Sequence, residues 1–382
     1  MTLDDVIHPG LPRIAHSAPA RGGRVRAMER ADIAAVGRMF FRTFRGRDRE
    51  SPPEFNAYFA RAFFGSPAYA PETGSIVHQT AEGWIDAAIS AVPMNFIANG
   101  RALGGRLLCA FMEEANSRHG GAAQLMLSIR ARLQDLCFTD SAAPVSADLC
   151  RAVGGAILPV QSLEWRRLFR PTRWLASAAR RRFLGRTRLG LLLAPFDAAL
   201  RRAFSAFVQR QPQETTGTAM TREEFLEAAP RFVSRFAIHP EWSPGELGWL
   251  LDMAALNKAE GPLVLRAVRG AQDRLIGCYL YYGLPGETAH VLNLMCIGGY
   301  ETETIAQAFA DLDAAGFAAA RGIAQPFLME SLLRQKRTTF RYRGYFCIAS
   351  RHKDVRDAAA QGDIYIGGLA GESWSRLLSD FH

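Results

Sequence analysis

Two glycines set between an extended run and an apolar helical stripe constrain this chain more than any other feature. Arg106 to Met112 reads as a strand, and Leu125, Met126, Ile129, Leu133 and Leu136 recur at helical spacing. Between them lies Glu113-Glu114-Ala115-Asn116-Ser117-Arg118-His119-Gly120-Gly121. A Gly-rich turn there directs unpaired backbone N–H groups outward at a helix N-terminus, where the helix dipole adds partial positive charge. Arg118 adds a full charge, the glycines let the backbone approach an anion closely, and Ala122 and Ala123 keep the first helical turn free of bulk. A diphosphate fits such a place. By itself the string Arg-x-x-Gly-x-Ala is equally a capped, solvated turn, so its context decides.

That context is a mixed α/β (α+β) order. Arg24 to Met28 alternates as a short strand, and Arg30 to Phe44 puts Ile33, Val36, Gly37, Phe40, Phe41 and Phe44 on one helical face. Pro52 and Pro53 open a second helix that Gly65 and Pro67 end. Strands follow over Ser75 to Thr80, Trp84 to Phe96 and Arg106 to Met112, with turn signals at Glu82-Gly83 and Asn99-Gly100. After the glycine turn and its helix come a strand (Leu136 to Thr139), a helix (Val145 to Val153) and a strand (Ala156 to Leu163). The same order recurs beyond residue 220. Helices at Thr221 to Ala228 and Pro244 to Leu256 precede strands at Leu263 to Val268, Leu275 to Tyr282 and Ala289 to Ile297. Then come a helix at Thr302 to Ala314, a short strand near Gly322, a helix at Phe327 to Arg334, and strands at Phe340 to Ser350 and Asp363 to Gly367. The expected division is a flexible N-terminal arm (1–23), a first domain (24–170), a basic connector (171–213) and a second domain (214–382).

With this context the chain resembles the GCN5-related N-acetyltransferase superfamily, whose signature Gln/Arg-x-x-Gly-x-Gly/Ala follows the fourth strand. Arg118, Gly121 and Ala123 fill its defined positions. Val25 to Ile33 looks like the family's first strand and helix start, and Leu149-Cys150-Arg151-Ala152-Val153-Gly154-Gly155 looks like the end of its fourth helix. The resemblance implies two mixed-sheet domains of this type in tandem, with acetyl-CoA or another acyl-CoA as co-substrate. It also implies a binding set of Phe111, Met112, Glu113, Arg118, His119, Gly120, Gly121, Ala122 and Ala123. In the second half, Gly298-Gly299-Tyr300-Glu301-Thr302-Glu303 stands where the loop belongs. It lacks the arginine and places two carboxylates where they compete with a diphosphate, so no CoA is expected there.

Attack of an amine on a thioester needs a neutral amine, a donor to the developing oxyanion and a proton for the departing thiolate. The family commonly takes that proton from a fourth-helix tyrosine. Cys150 stands at that position here, and the sequence has no tyrosine between Tyr69 and Tyr279. The candidates are therefore Cys150, whose other reading is a buried packing thiol, and the strand-end carboxylates Glu113 and Glu114, whose other reading is simple solvation. Tyr342 and Tyr345 are weaker candidates in a strand of alternating aromatics. Nucleophile-elbow, phosphate-loop, zinc-protease and dinucleotide signatures are missing; Gly371-Glu372-Ser373-Trp374-Ser375 lacks the last glycine of an elbow.

The net charge of +9 is uneven: Trp165 to Arg210 holds twelve arginines against Asp197 alone, which is +11 and leaves the rest at about −2. A nucleic-acid binder spreads such charge over a folded face, so no nucleic acid is expected. The stripe Phe196, Ala199, Leu200, Ala203, Phe204, Phe207 and Val208 normally packs on a domain. The arginines upstream, interleaved with Trp174, Leu175, Phe183 and Leu184, alternatively suit peripheral contact with an anionic membrane through 171–210. Six cysteines without a CxxC pair and eight scattered histidines point to a reducing cytoplasm and no metal site. The expected function is transfer of an acetyl or other acyl group from acyl-CoA to a small-molecule or peptide amine. The alternative is a non-catalytic acyl-CoA-binding or membrane-associated adaptor.

Overall fold

Alternation and helical periodicity become two mixed sheets in the computed structural model, which describes residues 23–115, 117, 120–183 and 194–381. The first sheet is ordered β1-β2-β3-β4-β5-β15-β6, with β9 beside the far end of β3. Its strands are β1 (Arg24–Ala27), β2 (Ile76–Gln79), β3 (Ile85–Ala98), β4 (Arg101–Glu113), β5 (Leu136–Ala142), β6 (Ala156–Ile157), β9 (Ile238–Pro240) and β15 (Tyr345–Ala349). The second is ordered β14-β7-β13-β12-β11-β10-β8. It contains β7 (Leu163–Leu168), β8 (Thr216–Ala219), β10 (Leu263–Arg269), β11 (Leu275–Tyr282), β12 (Thr288–Cys296), β13 (Ala319–Ile323) and β14 (Thr338–Tyr342). Each sheet has a single parallel pair, β4 with β5 and β12 with β13.

Local chemistry explains most of these elements. Asn99 and Gly100 both take positive φ, 50° and 78°, which closes the β3–β4 hairpin with a turn whose twist suits the strands. Helix α1 (Ile33–Arg45) buries Val36, Met39, Phe40 and Phe41 and ends at Gly46 in the left-handed region. Helix α2 (Pro53–Phe64) starts on proline and stacks Phe55 on Phe40 and Phe41. These two helices cover one face of the first sheet. Helices α3 (Gly121–Ser128) and α4 (Pro144–Ala152) cover the other, where Leu125, Met126 and Ile129 pack on Ile76, Ala87 and Ile89. The stripe expected to run on to Leu136 stops sooner, because Leu133 lies in a 3-10 turn, half exposed, and Leu136 opens β5.

The two halves exchange strands. The run expected as one strand from Ala156 to Leu163 is β6 alone, after which the chain crosses to the second sheet as β7. There β7 pairs antiparallel with β13 and β14. In return, the run expected from Phe340 to Ser350 breaks at Arg343-Gly344. Its first part stays in the second sheet as β14, and its second part, β15, pairs antiparallel with β5 and β6 of the first. Strand pairing therefore crosses the division expected near residues 170 and 214. The strand expected at Asp363 to Gly367 forms only isolated bridges, Ile238 with Ile364 and Gly367 with Ala370.

The arginine-rich segment 165–210 spends several of its arginines inside the fold. It forms α5 (Pro171–Phe183) and α6 (Ala194–Ala203), and Asp197 accepts from the N–H groups of Thr172 and Arg173 at the start of α5. Asp313, on α9 (Glu301–Ala314), accepts two bonds from Arg201 at 2.9 and 3.1 Å, lies 3.0 Å from Arg170 and takes the Gln209 N–H. Residues 184–193, including Leu184, and the N-terminal arm up to residue 22 lie outside the described residues. No described helix is long and apolar enough to cross a membrane. Asp313→Ala leaves two largely buried guanidiniums without their carboxylate. A loss of about 3–5 kcal/mol is expected, read as a lower midpoint in urea unfolding.

Candidate functional site

Strand β4 pairs with β5 only from Gly105 to Leu107 against Leu136 to Phe138. Beyond that the strands diverge, and the β5-facing edge of Leu108 to Glu113 has no strand partner. On its other edge β4 carries one extra residue against β3, a bulge at Cys109 between the pairs Ala110–Ser90 and Leu108–Ala91. Bulges bend and twist a strand locally, which widens the divergence.

A cavity of about 330 Å³ occupies the opening. On the α3–α4 side it is lined by Ile89, Phe111, Met126, Ile129, Cys150 and Val153; on the α1 side it is lined by Phe40, Phe44, Phe138, Glu372, Leu377 and Leu378. Ile89, Met126 and Ile129 belong to one core cluster, and Phe40, Phe138 and Leu377 to another on the opposite face of the sheet. The cavity is thus a passage through the sheet. Its far lip comes from the segment that follows α11 (Lys353–Gln361), held by Arg45, which donates to the carbonyls of Leu377, Asp380 and Phe381.

Past Phe111 and the end of β4, Gly120 takes φ 66° as the N-terminal cap of α3, and Gly121, Ala122 and Ala123 form its first turn. Beneath it lies a polar network not singled out in the sequence. The fully buried His78 ring places Nδ1 2.5 Å from Asp86 Oδ1, and Ser117 Oγ donates to Asp86 Oδ2 at 2.8 Å. A Cβ on Gly121 would stand 2.7 Å from His78 Nδ1 and 2.9 Å from Asp86 Oδ1, so glycine here is a packing requirement. Gly120 needs glycine for its backbone angle instead, since nothing crowds it. Arg118 and His119 lie outside the described residues.

The remaining expected residues separate. Phe111 lines the passage, whereas Met112 points into the α1–α2 core. Glu113 accepts a hydrogen bond from the Ala122 N–H, and burial pushes its carboxyl above the usual range against that bond. It therefore sits on the α3 N-terminus and does not line the cavity. Glu114 does not line it either, pairing with Arg42 at 2.6 Å. Cys150 lines it, and a hydrogen bond with Cys347 holds the Cys150 thiol below its usual range. Tyr342 and Tyr345 stack edge-on at 5.0 Å, away from the passage. Sequence reasoning missed Glu372, whose only signal was an acid inside an otherwise uncharged run.

The second sheet diverges in the same way, with β12 and β13 pairing only as far as Val291 and Gly322. There the gap is filled by the chain itself. Asn293 donates to the Tyr365 hydroxyl at 2.7 Å and accepts the Leu369 N–H at 2.8 Å, while Gln325 donates to the Ile366 carbonyl. At the helix start above it, Glu301 accepts the Gly299 N–H at 2.8 Å and pairs with Arg235 at 2.8 Å.

No family model matches the chain, and no curated protein matches it. Solved structures do. A probable N-acyltransferase from Enterococcus faecalis V583, described as a conserved protein of unknown function, aligns with a TM-score of 0.56 at 12% identity, over 85% of this chain and 72% of that one. A GCN5-related N-acetyltransferase from Anabaena variabilis ATCC 29413 aligns with a TM-score of 0.56 at 11% identity, over 86% and 73%. At 11–12% identity these likenesses show the fold: two mixed α/β sheets in tandem, of the GCN5-related N-acetyltransferase type.

Proposed function

We propose that the chain binds one acyl-CoA in its first half and transfers the acyl group to an amine by direct attack. The passage through the first sheet, lined by Phe111 on the strand that leads to the glycine turn of α3, is the observation that supports this reading. A diphosphate at Gly120 to Ala123 places a pantetheine arm along Phe111, parallel to the strands, and its thioester near the Cys109 bulge. There the unpaired edge of β4 offers N–H groups to a developing oxyanion. The acyl group then extends toward Phe40, Phe44, Leu377 and Leu378, on the face opposite the cofactor. The two similar structures, a probable N-acyltransferase and a GCN5-related N-acetyltransferase, support the same chemistry.

The second half supports the site without a cofactor of its own. Its gap is filled, and its helix start is occupied by Glu301. It contributes β15 and the lip that carries Leu377 and Leu378.

Calorimetric titration of the full chain with acetyl-CoA is expected to give a stoichiometry near one and a higher melting temperature. Gly121→Glu, which puts a carboxylate on the helix start and a side chain against His78, is expected to weaken binding at least 100-fold. A stoichiometry of two, or unchanged affinity in that variant, refutes the assignment. Because the acyl end is apolar, each added methylene that it buries should tighten binding by about 0.8 kcal/mol, roughly fourfold. Hexanoyl-CoA is therefore expected to bind more tightly than acetyl-CoA in the same titration.

Glu113 makes binding depend on pH. Its ionised carboxylate holds the Ala122 N–H and repels a diphosphate; protonation removes both effects. Since burial raises its pKa, acyl-CoA affinity should rise as pH falls through that raised value. Titrations of Glu113→Gln across the same range should show the higher affinity throughout and lose that part of the dependence.

A further inference from the structure

The far side of the passage is largely apolar and holds one buried acid. Glu372 lines the cavity yet is only 1% exposed. The Ser141 hydroxyl donates to its Oε2 at 2.5 Å, and its own N–H donates to Asp140 Oδ2 at 3.1 Å. Asp140 has no exposure at all, and its Oδ1 has no partner. The two acids come from distant parts of the chain, β5 and the segment after α11. A Cβ on Gly371 would stand 2.5 Å from Asp140 Oδ2, so glycine is what lets the segment come this close.

The charges around Glu372 do not balance two carboxylates. From the turn between β14 and β15, Arg343 donates to the Asp140 carbonyl and acts on Glu372 from a distance. From α1, Arg45 spends its donors on backbone carbonyls. From β4, the Cys109 thiol is pushed well up by burial and by both acids, so it stays protonated. From α2, Tyr58 is buried, bonded to Ser375 and the Arg376 N–H, and its hydroxyl is pushed up as well. Burial, and then Asp140, push the Glu372 carboxyl well above the usual carboxylate range. Burial beside a second carboxylate therefore favours the protonated form of Glu372.

We propose that Glu372 is the acid and base of the acyl transfer, taking the place of the tyrosine that this chain lacks. This rests on the acyltransferase reading above. A neutral amine attacks the thioester carbon and forms the C–N bond. As the C–S bond breaks, the Glu372 carboxylic acid gives its proton to the departing CoA sulfur, and the resulting carboxylate takes one proton from the acylated nitrogen. The products are CoA thiol and amide, and Glu372 ends as it began, with Asp140 and Ser141 fixing its orientation. No described residue lining the cavity is a tyrosine or a histidine, and the site lies beside the bulge where the thioester is placed.

The test uses the full chain with hexanoyl-CoA and hydroxylamine, a neutral amine small enough to need no acceptor pocket, with thiol release as the readout. Glu372→Gln keeps the size and the bond from Ser141 but holds no transferable proton. It is expected to lower kcat at least 100-fold, with hexanoyl-CoA affinity within about threefold and a melting temperature no lower than the parent's. Infrared spectroscopy at pH 7 should show a protonated carboxyl band in the parent that Glu372→Gln lacks. If the parent binds hexanoyl-CoA and releases no thiol above the uncatalysed rate, the acyltransferase reading and the role of Glu372 both fall. If the parent turns over and Glu372→Gln stays within fivefold of it, or the band is missing from the parent, only the role of Glu372 falls. A rate that survives in Glu372→Gln and collapses in Cys150→Ala likewise overturns it in favour of the thiol.

Discussion

Three residue pairs hold β4 to β5, and the usefulness of this fold depends on the pairing stopping there. A sheet that continued to pair past Leu107 and Phe138 would satisfy every backbone group along its middle and would have no interior route from one face to the other. The Cys109 bulge removes that possibility by bending β4 at the point where pairing ends. The cost is a row of unpaired backbone groups inside the molecule. That stretch of β4 borders the cavity at Leu108, Cys109, Ala110 and Phe111.

The second sheet meets the same geometric problem with the opposite solution. Its split is completed internally, by Asn293 and Gln325 holding Tyr365 to Leu369 in the gap. Gly368 is central to this arrangement. Its φ of 63° and its closeness to the Leu292 carbonyl and the Asn293 amide leave no room for a side chain. The segment then continues to the first sheet, where Glu372 and Leu377 reach the open passage. One stretch of chain therefore closes one gap and lines the other, which ties the two halves together mechanically.

Features set by neighbouring residues were legible in the sequence. The Asn99-Gly100 hairpin, the proline start of α2, the phenylalanine stripe of α1 and the glycine turn before α3 all depend on contacts within a few positions, and all are present. Strand exchange was not legible. The Leu163 to Leu168 run has the same alternation whichever sheet receives it, and only the partner strands, more than 150 residues away, decide. The break at Arg343-Gly344 was hidden for a similar reason, since a two-residue interruption between two apolar runs looks like one strand. In the site, Gly120 could be picked out because it serves a local turn. Glu372 could not, because an acid becomes unusual only once folding has buried it beside Asp140 and Ser141, 231 positions from the latter.

The placement of β15 has a consequence for how the protein is made. A ribosome delivers the first half well before β15, Glu372 and Leu377, all of which follow the strands of the second sheet. Until they emerge, β5 has a bare edge, and the passage lacks both a wall and its far lip. No partly synthesised chain can hold a finished cleft, so folding of the second half acts as a checkpoint on the first. The bare edge of β5 is in the meantime an open template for a stray strand, which makes this interval the period when the nascent chain most needs a chaperone.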